Sequence, residues 1–132
     1  MNGNDIGVGI QISSGSNVEV DSLVLHDSNV GISQSGTANV IFHSVEFSGT
    51  NGIGIDWSSV SGADISNVTV NSQSSIGTIL RSVDLSSGSL QDVTAFGNFT
   101  NTPAFYLDVS GSLNMHNITA VNYSQGIVAR GQ

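Results

Sequence analysis

The chain has no cysteine, no lysine and a single proline, and charged residues make up only 9% of its 132 positions. Each shortage excludes something. Without cysteine there is no disulfide framework, no thiolate metal site and no cysteine nucleophile. Arg81 and Arg130 are the only basic residues against ten acidic ones, which leaves a net charge of −8. Such a surface cannot neutralise phosphates, so no nucleic-acid partner is expected. No apolar run approaches the roughly 18 residues of a membrane-spanning helix, so no membrane insertion is expected either. The opening Met1–Asp5 has neither the basic nor the apolar stretch of a signal peptide. The length fits one domain, residues 1–132. With 38% hydrophobic residues, much of it alternating Val and Ile, the chain can fill a core and is not expected to be disordered.

What is present is Gly, Ser, Asn and Thr, with few of the good helix formers, so propensity argues against helices throughout. Short alternating runs recur at Val18–Val20, Leu23–Leu25, Val40–Phe42, Val45–Phe47, Val68–Val70 and Ile118–Ala120. Each is bounded by Ser, Asn, Asp or Gly and reads as a strand between turns.

These runs repeat. Tetrapeptides starting at Ser22, Ser44, Asn67, Asp92 and Asn117 lie 22, 23, 25 and 25 positions apart. Each begins with a small polar residue, followed by an apolar, an outward and a second apolar position. An apolar pair precedes each one: Val18/Val20, Val40/Phe42, Ala63/Ile65 and Leu113/Met115, with Leu90 alone in the fourth unit. A third run opens the units at Val8–Ile10, Val30–Ile32, Ile53–Ile55, Ile76–Thr78 and Phe105–Leu107, and Gly126–Arg130 is a partial sixth copy. Three short strands per unit of 22–25 residues make a coil, and stacked coils bring equivalent residues about 4.8 Å apart. The expected fold is all-β, a right-handed single-stranded parallel β-helix of about five to six coils. An antiparallel sandwich is the competing arrangement, because short strands alone do not fix parallel pairing. In the β-helix, Ser22, Ser44, Asn67, Asp92 and Asn117 take the sharp bend and are expected to form an internal polar ladder. Val20, Phe42, Ile65, Leu90 and Met115, and Leu25, Phe47, Val70, Ala95 and Ala120, are expected to stack as core columns.

The coil length, the three-strand rhythm and the polar bend resemble the coils of right-handed parallel β-helices of the pectate-lyase-like superfamily, over roughly residues 7–130. The resemblance implies a fold that hosts enzymes, adhesins and phage tailspikes alike. Enzymes of this kind place carboxylates and basic residues on the outer face of the stacked strands. The Asn-x-Asp, adjacent Asp pair, Gly-His-Gly and Arg-x-Lys signatures of a polygalacturonase-like site are absent here, and so is a clustered Asp set with an Arg base. No catalytic residue is carried over.

The residues themselves offer few sites. Asp56 and Asp108 are assigned to one outward column, two coils apart with Ile79 between, near the upper spacing of an inverting glycosidase; with Arg130 they are the low-ranking catalytic candidates. His43 and His116 share an outward column with Asp21, Ser66 and Gln91, too sparse for a metal. His26 reads as a surface residue. No metal and no cofactor is expected. Gly9, Gly31, Gly54 and Gly77 are expected to face outward as a flat trench, and Glu46, Thr69, Thr94 and Thr119 as a polar row. The least regular stretch, 96–108, gathers Phe96, Phe99, Phe105 and Tyr106, and Phe99, Tyr106 and Asp108 are its candidate ligand-binding residues. Trp57 is assigned to the core or a bend. Sequons occur at Asn67, Asn98, Asn117 and Asn122; those at Asn67 and Asn117 fall in the internal ladder and are read as accidents of the repeat, while Asn98 and Asn122 lie in loops.

Solenoids expose core at both ends unless capped. No amphipathic helix pattern precedes Gly7, so the chain is expected either to be a segment of a longer β-helix or to self-associate through its ends. The expected function is a non-enzymatic structural or binding module of an extracellular, cell-surface or tail-fibre-like protein, with carbohydrate as a ligand. The alternative is a polysaccharide-active lyase or hydrolase with a groove on the first strands.

Overall fold

The computed structural model describes residues 7–13, 15–36, 38–70, 74–97 and 102–131. Phe99 and the Asn98 sequon lie outside the described residues. Ten strands follow in order: β1 (Val8–Ser13), β2 (Ser16–His26), β3 (Val30–Ser35), β4 (Ala38–Ser48), β5 (Thr50–Ser58), β6 (Ala63–Val70), β7 (Ser75–Val83), β8 (Leu85–Phe96), β9 (Pro103–Val121) and β10 (Gln125–Gly131). They stack in the order β1-β3-β5-β7-β9 along one side and β2-β4-β6-β8-β9 along the other, with β10 on β9. All of these pairings are parallel. The chain is therefore a parallel β-solenoid of about five turns, with no helix among the described residues.

The second and third strands expected in each coil run on as one paired element. In β2, pairing to β4 runs from Val18↔Val40 to Asp21↔His43 and, past Ser22, from Leu23↔Val45 to His26↔Ser48. The bend between them sits where the sequence places it. Ser22, Ser44, Asn67, Asp92 and Asn117 have φ of 62, 60, 57, 56 and 55°, in the left-handed region that short polar side chains tolerate. The ladder they form runs along the outside, however. Asn67 Nδ2 donates to Ser44 Oγ at 3.0 Å and Asn117 Nδ2 to Asp92 Oδ1 at 2.9 Å, on exposed side chains. The inner side of the bend is taken by Val45, Val68 and Val93, all buried. Apolar residues on that side bury without the partners an enclosed amide would need.

The expected core columns are in register, but in the last coil Met115 is half-buried and Ala120 exposed, because no further coil among the described residues covers them. Val20, Phe42, Ile65, Leu90 and Met115 are in register, as are Leu25, Phe47 and Val70 and Ala95 with Ala120. Phe42, Phe47, Ile65 and Leu90 are completely buried, each contributing about 1.5–3 kcal/mol. A further column stacks Ile12, Gln34, Trp57 and Ser82. Trp57 belongs to the core, its Nε1–H donating to Gln34 Oε1.

The expected glycine trench is not on the outside. Gly9, Gly31 and Gly54 do line up, but toward the core: a Cβ on Gly9 would lie 2.7 Å from Leu25 Cδ2, and one on Gly31 would enter the Phe47 ring. Bare backbone here lets the Leu25–Phe47 column close against the opposite wall. Gly77 is not part of the row. Pairing of β5 with β7 joins Ile53 to Thr78 and Ile55 to Leu80, so Ile79 follows Gly54 and Gly77 lies beside Gly52.

Candidate functional site

The same register re-places the candidate carboxylates. Asp56 pairs with Arg81, and Arg81 with Tyr106. Asp108 lies two residues beyond Tyr106, level with Arg130 on β10. Asp56 and Asp108 therefore do not share a column with Ile79 between them. The outer face of the odd strands instead carries the row Ser33, Asp56, Arg81, Tyr106 and Val128. Alternation along each strand puts these side chains out while Ile55, Leu80 and Leu107 go in.

Within the row, Arg81 grips Asp56 in a fork: Nε donates to Oδ1 at 3.1 Å and Nη2 to Oδ2 at 2.5 Å. The hydrogen bond to Asp56 is the main effect that holds the guanidinium above its ordinary pKa, against the opposing effect of burial, with the charge of Asp56 adding least. Asp56 is thereby committed as an acceptor. On the far side of the row, Arg130 Cζ stands 5.9 Å from the Tyr106 ring centroid, within cation–π range. Asp108 is anchored through its backbone, its N–H donating to Ser82 Oγ at 3.1 Å while that hydroxyl donates to Asp108 O at 3.3 Å. The structure thus brings Tyr106, Asp108 and Arg130 together and gives Asp56 to Arg81.

Beside this row is a depression of about 620 Å³, bordered by Asn51, Ile53, Thr78, Arg81, Pro103 and Tyr106. Gly52 and Gly77 present bare backbone on its floor. One corner is fixed by Asn51, a buried residue absent from the sequence reading. Its side-chain oxygen accepts from both the N–H and the hydroxyl of Ser28, at 3.0 Å each, and its amide donates to Ser48 O at 3.0 Å. Tyr123 was missed too. Its hydroxyl donates to Ile76 O at 2.7 Å, 47 positions away, and burial pushes its pKa up. Neither residue sits at a repeated position, so the periodicity carried no signal for them. For Arg81 there was a signal: the spacing of 25 from Asn67 to Asp92 applies equally to Asp56 and Arg81.

The other described aromatics of the irregular stretch, Phe96 and Phe105, face inward. Phe105 is buried, and Phe96 is half-buried against the core. The outward column Asp21, His43, Ser66, Gln91 and His116 is in register, and so are Glu46, Thr69, Thr94 and Thr119. Because the ladder is external, the Asn67 and Asn117 side chains are accessible, as is that of Asn122. Compared with models of known families, with curated proteins and with solved structures, the chain matches none.

Proposed function

We propose that this chain is a rigid binding and adhesion module of an extracellular, cell-surface or tail-fibre-like protein, which holds an extended carbohydrate against the outer face of its odd strands. The observation that carries the reading is the depression beside Tyr106 and Arg81. A phenol ring beside a shallow, partly apolar floor suits the face of a sugar ring. Arg81, with its fork already oriented by Asp56, suits a hydroxyl or carboxylate on it. The coil length and polar bend support a likeness to the right-handed β-helices of the pectate-lyase-like superfamily.

Binding without cleavage is favoured over the polysaccharide-active alternative on one ground. Glycoside hydrolysis asks for two carboxylates flanking the bond. Here Asp56 is committed to Arg81, and Asp108 lies along the strand rather than across a gap from it. The edges of β1 and β2 at one end and of β10 at the other suit further coils or further copies.

The test is a binding screen over neutral and acidic polysaccharides, followed by calorimetry on any hit. Tyr106→Ala is expected to lower affinity at least about tenfold, the loss of one stacking contact near 1.4 kcal/mol. No binding across the panel would overturn the reading. Polysaccharide turnover that disappears in Asp56→Asn would overturn it in favour of the enzyme.

A further inference from the structure

The corner between β2 and β3 holds a group that carbohydrate binding does not use. Register sets His26 beside Ser48 of the next coil. His26 Nδ1 lies 2.8 Å from Ser48 Oγ, and His26 Nε2 lies 2.9 Å from Asp27 Oδ2. A carboxylate can only accept, so this ion-pair contact favours the tautomer with its proton on Nε2. Nδ1 then presents its lone pair, and the Ser48 hydroxyl donates to it. We infer from this geometry that Ser48, His26 and Asp27 act as nucleophile, base and orienting carboxylate in the hydrolysis of carboxylic esters of small acids.

Several features build the group. Asp27 holds a left-handed backbone, φ 51°, as does Gly49 with φ 73°. Any side chain on Gly49 would collide with the Asp27 carboxylate, so glycine leaves the space from which Asp27 reaches the imidazole. Ser48 is held by its carbonyl, which accepts from Asp27 N–H at 3.2 Å and from Asn51 Nδ2 at 3.0 Å. Its hydroxyl is therefore delivered to His26 from a fixed backbone. Stacking alone does not give this. In the neighbouring column, His43 Nδ1 is 3.1 Å from Ser66 Oγ, but the carboxylate of Glu19 stands off at 3.7 Å from Nε2. That pair is an internal control, a serine over a histidine whose acid stands farther off.

The step is ordinary acyl transfer. Ser48 Oγ attacks the ester carbon as its proton passes to His26 Nδ1. The C–O bond to the alcohol breaks, and the alcohol leaves with that proton. Water then attacks the acyl-serine, gives a proton to Nδ1 and releases the acid, and Nδ1 returns the proton to Oγ. Asp27 stays ionised throughout. The side chains of His26 and Asp27 are 46% and 33% exposed, so the ester is one displayed on a larger molecule rather than threaded into a cleft. Gly49 N–H, which follows the nucleophile, already donates to Ser74 Oγ at 2.9 Å. A missing oxyanion donor costs about 10²–10³ in rate, so turnover is slow and activated esters are the best probes.

The full chain is treated with a fluorophosphonate, the adduct mapped by mass spectrometry, and 4-nitrophenyl acetate hydrolysis followed alongside. One adduct is expected, on Ser48, lost in Ser48→Ala and formed roughly a hundredfold more slowly in His26→Gln, with Asp27→Asn also slowed and Ser66 unlabelled. Thermal melts of each variant separate lost chemistry from lost fold, and Ser48→Ala removes only a hydroxyl. No adduct on the parent chain, or equal labelling of Ser48 in folded His26→Gln or of Ser66, would overturn the assignment.

Discussion

Replacing Asn51 by alanine should be among the most damaging polar substitutions in the chain. Asn51 is 4% exposed and Ser28, its partner, 2%. The substitution deletes two hydrogen bonds from Ser28 and one to Ser48 O, each at 3.0 Å, together with a longer contact to Ser75 O at 3.4 Å. A net hydrogen bond contributes about 0.5–1.5 kcal/mol, and a buried group left without a partner costs about 1–3 kcal/mol. The Ser28 N–H cannot turn elsewhere, whereas its hydroxyl can rotate. Counting one orphaned donor and two lost bonds, the expected loss is about 3 kcal/mol. Urea denaturation followed by far-ultraviolet circular dichroism measures it as a lower midpoint at unchanged slope. Asn51→Asp is the sharper variant. It keeps the acceptor for Ser28 but sets a carboxylate against the carbonyls of Ser48 and Ser75, so it should be no better than alanine. An alanine variant within about 0.5 kcal/mol of the parent, the range of ordinary surface changes, would refute the role assigned to this corner.

Two further outcomes follow from the packing. Gly31→Ala must fit a methyl against the Phe47 ring and the Gly54 carbonyl and should cost about 1–3 kcal/mol, while Gly126→Ala, with nothing within 4 Å, should be nearly silent in the same denaturation series. Tyr123 gives a pH dependence. Burial raises its pKa in the folded state above the unfolded value of 10.0, so the folded chain retains this proton more tightly. Stability from this group is intact below about pH 10 and declines above it, at up to about 1.4 kcal/mol per pH unit. Tyr123→Phe should flatten that alkaline decline while losing about 1 kcal/mol at neutral pH, from the bond to Ile76 O. An unchanged alkaline limb in thermal melts would contradict it.

The winding, the core columns and the bends were legible in the sequence because they repeat. Val20, Phe42, Ile65, Leu90 and Met115 recur at the coil period, and Ser, Asn or Asp at each bend announces a left-handed residue. Which way the bend residue points was not legible: a polar side chain beside two apolar ones fits either side of the wall, and packing of Val45, Val68 and Val93 decides it. The odd-strand register went astray because Ile53–Ile55 resembles Ile76–Thr78, a match at spacing 23, while the true spacing there is 25. Two coils that keep step in one strand must keep step in the next, so the spacing from Asn67 to Asp92 held the correction. That shift separates Asp56 from Asp108, gives it Arg81, and takes Gly77 out of the glycine row. The Ser48–His26–Asp27 corner was invisible for another reason. It depends on the 22-residue step from His26 to Ser48 together with two left-handed residues, and no local motif records that combination.

The central claim is that successive coils lie parallel and in register, and engineered cysteines test it most directly because the chain has none of its own. Thr69 and Thr94 face outward as register partners on β6 and β8, about 4.8 Å apart, inside the range a disulfide spans. Thr69 and Thr119 lie two coils apart, beyond that range. Under mild oxidation the chain with Thr69→Cys and Thr94→Cys should close an intramolecular disulfide in high yield, and the chain with Thr69→Cys and Thr119→Cys should not. Closure of the second pair, or of neither, would contradict the stacked register on which the sites described above depend.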